Sequence, residues 1–492
     1  MAVLRISLFG VLAMCFASLT LANAPDVSER PVARPGSTPP PSLERLIEST
    51  KFDGDLGVAL IDLSTGAVIE TRNQNMPFAP ASVTKAITGI YALETLGAEF
   101  TFDTQVAMVG DLIGSTVQGD LILIGSGDPT LDTDDLAQLA QSVKAKGITR
   151  VTGRLLYYGS AMPQLGLIDA SQPSFVGYNP AISGLNLNFN RVYFEWKRVG
   201  SNYQTTVDAR SEFHRPKVSI ARVGVTDRSG PLFTYDNRNG VDHWNVRRNA
   251  LGNGGGRWLP VRDPARYTAE VFRSLLRTSG VEIGALADVT QLPSHVPLAS
   301  HKSAPLSEIV EDMLKYSTNL TAEIIGLKAS QTSGPVASLS ASAKRMQEWT
   351  RTKLGMKTAL FVDHSGLGDK TRITPADMVR ALTSKFGRDP SYVERLKPIA
   401  VRDWQGNIDK AARHRIQAKT GTLNFVSSLA GYLNGEDGRN FAFVIFSQNM
   451  DQRRATQNPN IEMPKGARTY NTRARRLQRS VLTRWAELTD LR

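Results

Sequence analysis

The spacing of apolar positions changes repeatedly along the chain, and each change marks an element. Leu56-Gly57-Val58-Ala59-Leu60-Ile61-Asp62-Leu63 is a short, nearly continuous apolar run and predicts a buried strand. Ser64-Thr65-Gly66 reads as a turn, and Ala67-Val68-Ile69-Glu70 as the returning strand. Beyond Pro77 and Pro80 the spacing lengthens: Ala86, Ile87, Ile90, Tyr91 and Leu93 recur at helical intervals, so a helix is predicted to begin near Ser82. From about Phe102 to Leu292 short strand-like runs alternate with turns, at Asp120–Ile124, Gly153–Tyr158 and Arg191–Trp196, while Gly252–Gly256 reads as a loop. Helical spacing returns over Pro305–Ser330 and Ala337–Leu354. Arg415–Thr422, Ser427–Leu433 and Phe441–Ser447 predict strands, and a basic helix over Thr472–Leu488 closes the pattern. No repeat of fixed period is present.

Composition narrows the classes. A chain of 492 residues, 41% hydrophobic and 21% charged, is long enough for two or three domains with a large core. Its 58 Lys+Arg against 46 Asp+Glu give a net +12, but the charges are scattered, so nucleic acid is not an expected partner. The densest basic stretch is Arg473–Arg479. Arg5, the apolar run Ile6–Leu21 and Ala22-Asn23-Ala24 predict a signal peptide over 1–24, with a cut after Ala22 as the alternative. Residues 25–42 are a Pro/Ser linker. The one cysteine, Cys15, lies within the signal segment, so no disulfide framework or cysteine nucleophile is expected. The six histidines show no paired metal spacing, and no metal or other cofactor is predicted.

Three short motifs carry the chemistry. In Ser82-Val83-Thr84-Lys85, positions i and i+3 share a helix face, so the Lys85 amine can reach the Ser82 hydroxyl. No other serine in the chain has a lysine three residues on. A serine hydroxyl is a weak nucleophile and needs a base beside it, and a lysine serves only if its pKa is lowered by burial and by another cation nearby. Ser317-Thr318-Asn319 is expected inside the helix Glu308–Lys328. There Ser317 can pass a proton to a leaving group, and Asn319 can bond Lys85 or a substrate backbone. Lys419-Thr420-Gly421-Thr422 ends a strand. Lys419 is the second cation, expected to depress Lys85. Thr420 and Thr422 offer hydroxyls to a terminal carboxylate, and Gly421 is expected to let substrate approach an edge strand. The N–H groups of Ser82 and Thr422 are expected to form an oxyanion hole. Ser447-Gln448-Asn449 repeats the second pattern, but it follows the third motif rather than preceding it. Asp363-His364-Ser365 holds the residue types of a triad, yet three adjacent residues cannot take up triad geometry.

These motifs, in this order, resemble penicillin-binding proteins and serine β-lactamases. The interval of about 235 residues between Ser82 and Ser317 resembles the class C low-molecular-mass penicillin-binding proteins, the D-alanyl-D-alanine carboxypeptidase/endopeptidase family. So do Gly125-Ser126-Gly127-Asp128-Pro129-Thr130-Leu131, Ser317-Thr318-Asn319-Leu320-Thr321-Ala322-Glu323 and Asp363-His364-Ser365-Gly366-Leu367. The resemblance implies an α/β (α+β) fold: a β-lactamase/transpeptidase-like domain of antiparallel sheet and helices over 43–101 and 293–492, interrupted by nested β-rich domains over 102–292. It also implies secretion across the inner membrane to the periplasm. The expected activity is cleavage of D-Ala-terminated peptidoglycan stem peptides and cross-links through an acyl-enzyme on Ser82, and acylation by penicillin. The expected partners are muropeptide and β-lactam inhibitors, with a weak association to an anionic cell-envelope surface. Three positions depart from the family: Thr318 replaces Asp; His364 replaces Gly and is expected to line a loop near the cleft; and Asp451–Arg479 is longer and more basic, read as a solvated tail or as a contact to anionic glycan or membrane. A β-lactamase or esterase on the same fold, and a cell-wall binding protein, are the competing readings.

Overall fold

The computed structural model describes residues 39–435 and 437–490; the expected signal peptide and nearly all of the linker lie outside them. The sheet that organises the site draws strands from both ends of the chain. Strands β1 (Asp55–Asp62), β2 (Val68–Arg72), β3 (Lys397–Ile399), β4 (Arg415–Leu423), β5 (Val426–Asn434) and β6 (Asn440–Gln448) form it in the order β3-β4-β5-β6-β1-β2. All its pairings are antiparallel. Both faces are covered, which is why β6 is apolar at successive positions rather than alternating. Phe441, Phe443 and Ile445 pack on one side with Leu56, Val58 and Leu60, whereas Ala442, Val444 and Phe446 face the other.

The helices lie on these two faces. Helix α1 (Leu43–Thr50) is capped by the Ser42 hydroxyl. Helix α2 (Thr84–Leu96) is buried at successive positions from Thr84 to Ala92. It packs with α3 (Leu306–Tyr316), α4 (Asn319–Gln331) and α5 (Leu339–Lys353) around one core. On the opposite face α6 (Ala467–Asp490) buries Tyr470, Leu477, Val481 and Trp485 beside α1. The basic C-terminal segment is therefore not the solvated tail one reading of its charges gave: its apolar stripe closes the sheet. Glu70 fastens it, accepting from Trp485 Nε1 at 2.7 Å and Arg484 Nη2 at 2.7 Å.

Two sequence expectations change here. The single helix expected over Pro305–Ser330 is two, broken at Ser317, whose φ of 62° is left-handed. Ser317-Thr318-Asn319 thus lies at a helix junction, not within a helix. Gly252–Gly256 is not all loop, because Gly254–Pro260 is a strand antiparallel to Arg191–Val199. At Gly256 a side chain would collide with the Tyr193 ring.

The segment between α2 and α3 builds three further sheets, and it is less purely β than expected. Helices Thr133–Ala145 and Pro264–Thr278 share a core with strands Thr116–Ile124 and Leu155–Tyr158. Strand Val296–Lys302 pairs with Asp103–Ile113, so we place the return from the inserted segment after Lys302 rather than at 293.

Candidate active site

Ser82 sits in a 3-10 turn, Ala81–Val83, that leads into α2. The turn is held on both sides. Ala79 N–H donates to Gln448 Oε1 at 3.0 Å, and the Ala79 carbonyl accepts from Ser428 Oγ at 3.3 Å. Ala81 has a φ of +48°, strained for a residue with a Cβ. Opposite it Gly366 is left-handed too, and a Cβ there would lie 2.0 Å from the Ala81 carbonyl oxygen. Gly421 has the same close relation: its Cβ would lie 2.6 Å from Pro80 O and 3.0 Å from Ser82 N. Gly421, expected to admit substrate, is thus required first by the nucleophile turn itself, which abuts β4.

One turn along, Lys85 is fully buried. Its Nζ donates to Ser82 Oγ at 2.9 Å, Asn319 Oδ1 at 2.6 Å and the Ser365 carbonyl at 2.8 Å. Lys419 Nζ donates to Ser317 Oγ at 2.9 Å and the Thr420 carbonyl at 2.9 Å. Asn319 spends its other end on the Tyr178 carbonyl at 2.7 Å, tying the inserted segment to the site. The structure therefore gathers Ser82, Lys85, Ser317, Asn319 and Lys419 into two linked amine–hydroxyl pairs. Thr420 and Thr422 are exposed on β4. β3 pairs with β4 only at Ile416–Ala418, so the outer edge from Lys419 to Leu423 is open among the described strands.

Burial lowers Lys85 to about 7, against the opposing pull of Glu323 and Asp363. Burial also lowers Lys419 to about 6, helped by the neighbouring Lys85 and then Lys397. Desolvation leads at both amines, and the repulsion between the two cations expected from the sequence adds to it.

Sequence reasoning assigned no role to the group beneath Lys85. Glu323, fully buried on α4, accepts from Ser365 N–H at 2.9 Å and His364 N–H at 3.0 Å. Asp363 accepts from Gly366 N–H at 2.8 Å and Gly368 N–H at 2.5 Å. Burial, with Asp363 adjacent, raises Glu323 to about 8. These carboxyls shape the 363–368 turn so that the Ser365 carbonyl meets the Lys85 amine. The available signal was an acidic residue on an otherwise apolar stretch, Leu320 to Leu327. His364 does not line the cleft. It is buried behind Lys85, with Nε2 2.7 Å from Ser342 Oγ. Its ring occupies the space where a side chain on Gly326 would be, 2.2 Å from His364 Cγ. The Asp363-His364-Ser365 run forms no triad; its backbone holds Lys85 instead.

The model of the D-Ala-D-Ala carboxypeptidase 3 (S13) family matches residues 42–468. The chain belongs to that family. S13 membership makes it a serine-type D-Ala-D-Ala carboxypeptidase. A D-alanyl-D-alanine carboxypeptidase of Actinomadura sp. (strain R39) is 27% identical over 439 residues, covering 82% of this chain and 79% of that protein. Penicillin binding protein 4 (dacB) from Haemophilus influenzae has a similar fold, at a TM-score of 0.72 and 21% identity over 91% of this chain and 99% of that one. A second structure of that protein, complexed with a novel β-lactam, superposes with a TM-score of 0.71 at 21% identity and the same coverage. The fold is thus the β-lactamase/transpeptidase-like one expected for S13 enzymes.

Proposed function

We propose that this S13 enzyme cleaves D-Ala-terminated stem peptides and peptide cross-links through an acyl-enzyme on Ser82. The observation that carries the reading is the 2.9 Å contact between Ser82 Oγ and a fully buried Lys85 amine. Lys85, with about half of its population neutral near pH 7, takes the Ser82 proton in that form as Oγ attacks the carbonyl of the penultimate D-Ala. The N–H groups of Ser82 and Thr422 stabilise the oxyanion. The C–N bond breaks as Ser317, bonded to Lys419, passes its proton to the leaving amine; the proton that Lys85 took from Ser82 is relayed to Ser317, which restores both the Ser317 hydroxyl and the neutral Lys85 amine. Asn319 holds Lys85 in place, and Thr420, Thr422 and Lys419 receive the substrate carboxylate. Water then hydrolyses the ester and frees Ser82.

The open edge of β4 supports endopeptidase action as well, because a free strand edge takes an extended peptide by backbone pairing. Penicillin mimics the same carbonyl and acylates the same hydroxyl. Glu323 and Asp363 are buried and spent on backbone N–H groups. Neither is available to activate a deacylating water, which favours a peptidase with a long-lived penicillin adduct over a β-lactamase. The signal peptide and the periplasm remain part of this proposal.

The test is chromatography of products from a pentapeptide monomer and a cross-linked muropeptide dimer, with the wild-type enzyme and Ser82→Ala. We expect D-Ala from the first, two monomers from the second, and neither product from the variant. Turnover by Ser82→Ala would overturn the mechanism; an intact dimer beside released D-Ala would remove the endopeptidase part.

A further inference from the structure

We propose that the outer face of α6, together with the adjoining turn 402–408, is a docking surface for an anionic lipid bilayer. From Ala467 to Ala486 the helix contains no Asp or Glu. Arg468, Arg473, Arg475, Arg476 and Arg479 are exposed, and none is paired with a carboxylate among the described residues. At 100° per residue Arg468, Arg475, Arg476 and Arg479 fall on one face, opposite the buried Tyr470, Leu477 and Val481. Their charge is crowded rather than neutralised. Partial burial and the neighbouring Arg402 and Arg475 disfavour the charge on Arg479.

A second feature decides what this charge meets. The turn 402–408 lies against the same face, further along the helix. Thr483 Oγ1 donates to the Arg402 carbonyl at 2.9 Å, and Trp404 Nε1 donates to Glu487 Oε1 at 2.6 Å. Glu487 is eight residues on from Arg479, about 12 Å along a helix. A backbone bridge between Arg402 and Ile408 closes the turn. Within the turn Asp403 accepts from Asn407 N–H and Asp409 from Ala411 N–H, so these two carboxylates fix the turn's shape, and the exposed arginines of the helix outnumber them. Trp404 is 38% and Ile408 56% exposed beside the arginines. A soluble polyanion would use the arginines but has no use for an indole and an isoleucine. A bilayer uses both, because indole sits at headgroup level and aliphatic groups enter the acyl boundary while arginines meet anionic phosphates. No helix among the described residues is long and apolar enough to cross a membrane, so the contact proposed is peripheral.

The experiment is vesicle flotation of the purified chain. It compares phosphatidylcholine vesicles, phosphatidylcholine vesicles containing phosphatidylglycerol, and soluble polyphosphate as a polyanion lacking an apolar phase. Arg475→Glu/Arg479→Glu and Trp404→Ser/Ile408→Ser are tested alongside, with thermal midpoint and penicillin acylation as controls on folding. We expect flotation only with the phosphatidylglycerol vesicles and its loss at high salt. The arginine reversals should weaken partition about tenfold or more. The Trp404/Ile408 variant should weaken vesicle binding several-fold while leaving polyphosphate binding unchanged. Absence of flotation, equal binding to pure phosphatidylcholine, binding to polyphosphate alone, or full vesicle binding by the Trp404/Ile408 variant would each overturn the proposal.

Discussion

Lys85 and His364 are neighbours in the same buried region and illustrate opposite uses of desolvation. Both lose charge because water is excluded. For Lys85 the result is a base that is half deprotonated near pH 7. The rate of penicillin acylation should therefore rise about tenfold per pH unit well below 7 and level off above it, as stopped-flow measurement would read. A flat profile through this window would mean that Lys85 is not the base. For His364 the cost falls on stability. Burial drops its pKa from 6.5 to about 3, so between these values the unfolded chain binds the proton and the folded chain does not. The contribution is intact above 6.5 and is lost as pH falls through the window, on the order of 3 kcal/mol by pH 4. Denaturant titrations of wild type and His364→Asn should converge as pH is lowered from 7 to 4; curves that stay parallel would contradict this.

At the scale of elements, the site depends on backbones brought closer than side chains permit. The nucleophile turn is clamped between Gly366 and Gly421. Gly421→Ala should push β4 away from Ser82, lowering acylation by about 100-fold with a thermal midpoint only a few degrees lower, by acylation kinetics and calorimetry. Unchanged acylation would show that the contact is dispensable. The three motifs, their order and the strands β1 and β4–β6 were legible because a sheet covered on both faces writes long apolar runs. The break at Ser317 was not legible, since α3 and α4 both bury apolar faces and their spacing reads as one helix. Gly254–Gly256 misled for the reverse reason: pairing with Arg191–Val199, not side-chain character, makes it a strand. Glu323 was visible as a residue but not as a partner, because its 363–368 turn is distant in sequence.

Across the whole molecule, the chain's two ends build the sheet on which the site rests. That sheet was expected, but its cover was misjudged. Charge dominated the reading of Asp451–Arg479, while the stripe of Leu477, Val481, Trp485 and Leu488 that buries α6 carried the structural meaning. Ending the chain at Gly466 would uncover the faces of Phe443 and Ile445 and leave Glu70 without Arg484 and Trp485. The truncated protein should be insoluble or lack a cooperative transition in calorimetry, and a soluble, cooperatively folding product would contradict that role.

The account rests on a hydroxyl made reactive by the amine one helical turn away. Its most direct test is to incubate the enzyme with penicillin, digest it and locate the adduct by peptide mass. One penicilloyl group is predicted, on the peptide containing Ser82, absent from Ser82→Ala and formed far more slowly by Lys85→Met. An adduct on any other residue, or one that persists in Ser82→Ala, would contradict the assignment.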